Sequence, residues 1–246
     1  MLMLFYYSSL AQPTDPALVY SIHTRLGMNG NIIHVTTYKY TKLKYKKGKE
    51  AEATGTLYSV IKNWYDSSGR IIRDSTAMFY NRQSAFCYTK DYSYTLQDAT
   101  PVILITTRFD CAPPHDNKAV EQSIVELTMP DDTTVLAREY KGHTLEKVRP
   151  QIESSYRFTW RDSLVRRTVF EAYRKGQRQY GTTTYQYDRY NNFTQTNLAI
   201  GEAPGQTIKH KVLLIDDYGN ALHMLNYKDK SPAPDFMTEY VFEYYE

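Results

Sequence analysis

Tyr65-Asp66-Ser67-Ser68-Gly69-Arg70-Ile71-Ile72-Arg73 is the stretch on which the fold is decided. It reads as a strand end, a turn and a strand start. Three further windows align with it on a turn residue followed by a polar or basic one. They are Gly30-Asn31-Ile32-Ile33-His34, Asn191-Asn192-Phe193-Thr194-Gln195 and Gly219-Asn220-Ala221-Leu222-His223. Asp66, Asp188 and Asp216 stand three places before their turn residues, and Tyr65 and Tyr187 one place earlier still. A carboxylate there can accept hydrogen bonds from backbone N–H groups and hold the turn. Gly or Asn supplies the positive φ that a tight hairpin needs. The tyrosine then lies on a strand, where each cross-strand aromatic pair contributes about 0.2–1 kcal/mol.

Outward from these windows the apolar period is two. Tyr20, Ile22, Thr24 and Leu26 alternate with polar residues, as do Thr183, Tyr185 and Tyr187, and Tyr240, Phe242 and Tyr244. Such alternation marks half-buried strands. Turn signals interrupt it at Asn29-Gly30, Lys47-Gly48, Ser68-Gly69, Pro130-Asp131-Asp132, Lys141-Gly142, Lys175-Gly176, Asn191-Asn192, Pro204-Gly205 and Gly219-Asn220. Val120, Ile124 and Leu127 fall at helical spacing behind Asp116, but the run into Pro130-Asp131-Asp132 reads as strand and turn, and we take the strand. The expected fold is all-β: an antiparallel meander of stacked hairpins forming an extended, twisted or curled sheet. One hairpin alone is marginal in water, so several must share a face.

The same windows resemble the Tyr-Asp core of YD repeats, the units of RHS-type bacterial surface and secreted proteins. Tyr65-Asp66-Ser67-Ser68-Gly69-Arg70 and Tyr187-Asp188-Arg189-Tyr190-Asn191-Asn192 carry it most fully, while Asp216-Asp217-Tyr218-Gly219-Asn220 has Ile215 where tyrosine would stand. The resemblance implies a hairpin stack that spirals, sometimes into a closed shell. The uneven spacing of the windows limits what it implies here to the stack.

Residues 1–11 read as a signal peptide: an apolar run closed by Ser9-Leu10-Ala11, although no basic residues precede it. A buried strand is the other reading of that run. Residues 12–246 read as a single repeat-built domain, with a possible sub-division near 111–117 at Cys111-Ala112-Pro113-Pro114-His115. No stretch approaches the roughly 20 apolar residues of a spanning helix. Thirty Lys plus Arg against 27 Asp plus Glu give a formal charge of +3, too even a balance to imply nucleic acid or an acidic polymer as the partner. The basic run Lys39, Lys42, Lys44, Lys46, Lys47 and Lys49, interleaved with Tyr38, Tyr40 and Tyr45, reads as an exposed hairpin whose lysines discourage edge pairing. An exported chain permits a Cys87–Cys111 disulfide across a hairpin centred on Ala99, but that register also opposes Lys90 to Arg108. Two half-buried thiols are the alternative.

Catalytic chemistry is not visible. His23, His34, His115, His143, His210 and His223 form no metal-ligand spacing, and no nucleophile elbow or phosphate loop is present. Asp131-Asp132 and Asp216-Asp217 sit where turns demand aspartate. The remaining signal is 24 tyrosines, with exposed aromatic faces suited to sugars or to another protein. Trp64, Tyr65, Trp160 and Tyr187 are the candidate ligand or partner contacts. The expected function is an exported, non-enzymatic binding or scaffolding protein of the cell envelope or surface, without cofactor, whose partner is an envelope protein or glycan. The alternative is a periplasmic carrier holding a lipid or other apolar ligand inside a curved sheet. An outer-membrane barrel is a third reading, opposed by a mean hydropathy of −0.59.

Overall fold

A computed structural model describes residues 15–246 apart from 23, 47–48, 50–51, 81–82, 98–99, 110–119, 143–149, 151, 162–163 and 175–176. The signal peptide at 1–11, the possible sub-division near 111–117, His23, His115, His143 and Cys111 therefore lie outside the described residues. One short helix, α1 (Pro16–Ile22), precedes fourteen strands. They are β1 (Ile32–Lys44), β2 (Thr54–Tyr65), β3 (Ile71–Tyr80), β4 (Gln83–Gln97), β5 (Thr100–Arg108), β6 (Val120–Asp131) and β7 (Thr134–Lys141). The second half comprises β8 (Ile152–Arg161), β9 (Leu164–Arg174), β10 (Gln177–Tyr187), β11 (Phe193–Ile200), β12 (Gln206–Ile215), β13 (Ala221–Lys228) and β14 (Phe236–Tyr244).

Each strand pairs antiparallel with its neighbours in sequence, and β1 also pairs with β14 from Ile32↔Tyr244 to Tyr40↔Met237. The meander therefore closes into a barrel. Closure leaves no strand edge unpaired, which removes the hazard that an open curled sheet would carry. It also corrects the YD-repeat expectation. The four windows are not stacked units of a spiral; they are turns gathered at one end of a closed barrel.

Directly paired residues share a face, so the registers assign every strand position to the inside or the outside. One set joins Val35, Tyr65, Tyr92, Ile103, Ile105, Val125, Leu127, Val135, Ala137 and Phe158, all within two packed apolar clusters. The other joins Arg73 to Asp91, Glu126 to Arg138 and Glu153, and His223 to Glu239. The apolar set faces in, because residues 15–31 pack on it from β2 round to β14, which no segment lying outside the wall could do.

Two sequence expectations change in detail and a third holds. Tyr20 and Ile22 belong to α1, not to a strand: Asp15 Oδ1 caps the Ala17 N–H at 2.9 Å and Pro16 opens the first turn. The hairpin of β4 and β5 pairs Gln97 with Thr100, one residue out of the expected register. Lys90 therefore opposes Thr107, and Arg108 opposes Thr89 and ion-pairs with Asp91. Segment 120–131 is strand, as expected.

Candidate functional site

The chain seals one end of its own barrel. Strands β1 and β14 begin and end there, and the connections 66–70, 188–192 and 216–220 stand around it. The Ser21 hydroxyl donates to Ala17 O at 2.9 Å and accepts from the Ile71 N–H at 3.1 Å, tying α1 to the start of β3. The Tyr65 hydroxyl donates to Thr24 O at 2.9 Å. Arg25 reaches Gly69 O at 3.4 Å and Gly30 O at 3.2 Å, with its guanidinium 5.2 Å from the Tyr65 ring centre. Asn29 is the densest knot. Its N–H donates to Asn220 Oδ1 at 2.6 Å, its carbonyl accepts from Asn220 Nδ2 at 3.0 Å, and its own amide donates to Tyr190 O at 2.8 Å.

The turn chemistry holds this rim. Asp66 Oδ1 accepts from the Ser68 and Arg70 N–H groups, Asp188 Oδ1 from Tyr190 and Asn192, and Asp216 Oδ1 from Tyr218 and Asn220. The aspartates are thus turn ligands, as expected. Gly69 and Gly219 take φ of 86° and 84°, where a side chain is strained. The turns are also tied to each other: Asn192 Nδ2 donates to Gly219 O at 2.8 Å and Asn192 Oδ1 accepts from the Ala221 N–H at 2.7 Å. Tyr244 donates to Asp216 and accepts from Asn220 Nδ2.

Above this seal lies a floor of tyrosines. Tyr94 donates to Ile71 O at 2.5 Å and Tyr92 donates to the carboxylate of Asp74. Burial pushes Tyr92 and Tyr20 far above the ordinary phenol range, and the Asp74 charge adds to both shifts. Asp74 itself is raised, first by burial, against the opposing hydrogen bond from Tyr92. On the opposite wall His210 is held between Thr196 Oγ1 at 2.9 Å and Asn226 Oδ1 at 2.7 Å, and burial lowers its pKa. Further along the bore the lining turns polar: Thr37, Thr76, Thr107 and Thr183 share it with Lys90, Glu121 and Lys228, and Ile61 is 37% exposed although it faces inward. Lys39 also faces in, its ammonium 4.1 Å from the Phe236 ring centre and its pKa lowered by burial and then by Lys228. The reading of Lys39 as part of an exposed, edge-blocking lysine run is corrected accordingly. Eight strands give a barrel that side chains just fill and sixteen leave a channel, so fourteen leave a bore that the floor occupies at one end only. Among the described residues no cluster of His, Cys, Asp or Glu is arranged to hold a metal ion.

The structure separates the four aromatic candidates. Tyr65 is fully buried and serves the seal. Trp160 packs against Phe158 in the core. Tyr187 donates to Val165 O at 2.6 Å beneath the Arg166 guanidinium. Only Trp64 faces outward, stacked on His34 at 4.6 Å beside a surface concavity. Cys87 lies on the outward face of β4, and Cys111 falls outside the described residues. Sequence reasoning missed Asn29, Asn192 and Asn220, whose side chains knit the rim together. Asn192 and Asn220 stand one place after turn residues and read as turn formers, although both are buried.

No family model matches the chain, and no curated protein matches it. Among solved structures it is similar to a porin-like protein from Bacteroides uniformis ATCC 8492, at 9% identity and a TM-score of 0.39. That likeness covers 86% of this chain and 98% of the other. A likeness of this depth transfers no activity.

Proposed function

We propose that the protein is a vessel of the cell envelope: a water-facing barrel, closed at one end, that holds a ligand with an apolar or aromatic body above its tyrosine floor. The observation that carries this is the opposition of the two faces. Inside are the apolar clusters; outside, every cross-strand ion pair among the described residues. A lipid-facing wall needs an apolar band about 25 Å tall, and each Arg or Lys at its middle costs roughly 2–4 kcal/mol. Lys62, Arg138, Arg157, Arg167, Lys209 and Lys211 all lie on the outward face within their strands. The seal at residues 15–31 likewise favours holding over conduction.

Ile61 and Lys62 are adjacent and face opposite ways, which makes the test internal. Protein purified without detergent is titrated with Nile red, a neutral apolar probe, and examined by native mass spectrometry for a co-purified small molecule. Ile61→Glu should weaken probe binding at least tenfold, while Lys62→Glu leaves it unchanged. Absence of probe binding, or equal loss in both variants, would sink the vessel.

A second reading has its own support. An even strand number, both ends of the meander on one side, short turns there and longer connections at 45–53, 109–119 and 142–151 are the arrangement of outer-membrane barrels. Partition of the folded protein into detergent instead of buffer, with ion conductance in planar bilayers, would favour that reading over the vessel.

A further inference from the structure

The outward face of β2–β5 carries a concavity of about 510 Å³, within the range of small-molecule sites. Two rows of directly paired residues cross it. One runs Lys62, Ser75, Thr89, Arg108; the other runs Trp64, Arg73, Asp91. Asp91 engages Arg73 Nε at 2.6 Å and Arg108 Nη2 at 2.7 Å, so one carboxylate is shared by two guanidinium groups. Lys62 has no ion-pair partner among the described residues. Three cations thus face one acid, and the next carboxylate, Glu243, is engaged by His34 at 3.4 Å. His34 also contacts Thr36 Oγ1 at 3.2 Å, so the imidazole that backs Trp64 is fixed from two sides.

We propose that this concavity binds an acidic saccharide. The Trp64 ring, held from behind by His34, packs against the C–H face of a pyranose. The guanidinium donors of Arg73 and Arg108 not taken by Asp91 meet its carboxylate, a geometry for which arginine forks are suited. The hydroxyl row of Ser75 and Thr89, 3.5 Å apart, stands between the outer cations Lys62 and Arg108. That row spans three strand spacings, roughly 14 Å, the length of a di- to trisaccharide. Pre-fixing of Trp64 and of both arginines lowers the ordering cost of binding. The assignment does not depend on what the interior holds.

The probe is a trigalacturonate, compared with its full methyl ester by isothermal titration calorimetry at low salt. The acid should bind at least tenfold more tightly than the ester. Lys62→Gln, which disturbs no ion pair, should weaken the acid about three- to tenfold and leave the ester unchanged. Trp64→Leu, checked for an unaltered melting transition, should weaken both. No binding of the acid at millimolar concentration, or equal binding of acid and ester, overturns the proposal. So does displacement of the acid by inorganic sulfate at equal concentration, since the site would then read charge alone.

Discussion

Asn220→Ala tests whether residues 15–31 are a built seal or a segment resting on the barrel end. Asn220 is fully buried, and its side chain pairs with both the N–H and the carbonyl of Asn29, at 2.6 and 3.0 Å. It also donates to the Tyr244 hydroxyl at 2.7 Å. Truncation strips two half-buried backbone groups of Asn29 of their partner, each at the lower end of about 1–3 kcal/mol because the segment is partly wet. The expected loss is therefore about 2–3 kcal/mol, a large share of the roughly 5–15 kcal/mol that holds a domain folded. With a urea slope of about 3 kcal/mol/M for a chain of this size, the unfolding midpoint should fall by about 1 M. Urea titration followed by circular dichroism gives the midpoint, and hydrogen exchange at residues 24–31 shows whether the seal opens first. Thr194→Ala, at an exposed position, is the control. An unfolding free energy for Asn220→Ala within about 0.5 kcal/mol of that control would refute the reasoning, because surface substitutions already scatter by that much.

Gly69→Ala and Gly201→Ala separate backbone strain from contact. Both glycines have positive φ, but a Cβ at Gly69 would meet Arg25 Nη1 at 1.9 Å while one at Gly201 meets nothing within 4 Å. Chemical denaturation should show both costing about 1–2 kcal/mol from φ alone, with Gly69→Ala the more costly of the two. Tyr65→Phe should cost about 1 kcal/mol through the lost bond to Thr24 O, read from the same titration. His210 supplies a pH signature. Burial holds its folded pKa below the unfolded 6.5, so the folded state binds its proton less readily. Its contribution is present above 6.5 and is lost as pH falls through the folded value, and His210→Gln should flatten stability against pH in that window.

The turns were legible because their chemistry is local. Asp66, Asp188 and Asp216 each hold their turn through backbone groups within four residues of themselves, although Asp216 also accepts from the distant Tyr244, and Gly69 and Gly219 take the φ that their identity permits. Closure was not, since the pairing of Ile32–Tyr40 with Met237–Tyr244 joins opposite ends of the chain. Nothing in either strand distinguishes a partner from solvent. The helix at Pro16–Ile22 was masked by a chance alternation, while its cap at Asp15 stood outside the pattern being read. The outer concavity was illegible for a related reason. Lys62, Arg73, Asp91 and Arg108 come from four strands, and only register places them together. A slip of one residue, as between the expected and the actual hairpin at Gln97↔Thr100, turns a charge clash into an ion pair.

The abundance of tyrosine follows from the geometry of the sealed end. A bore wider than its own side chains can span must be floored by residues that pack broadly yet still satisfy polar backbone at a rim. Phenylalanine would fill the same space but leave Thr24 O, Ile71 O and Val165 O without the donors that Tyr65, Tyr94 and Tyr187 supply. Thr24 O lies in the seal, and Ile71 O and Val165 O lie near strand ends beside the register shifts at Trp64/Tyr65 and Thr159/Trp160. The phenols thus take over hydrogen bonding where the barrel's regular pairing stops, and the floor can be apolar in bulk without stranding polar groups. In the vessel we propose, binding and sealing fall to different residues: Ile61 and the threonines of the bore for the first, the tyrosines and asparagines of the closed end for the second.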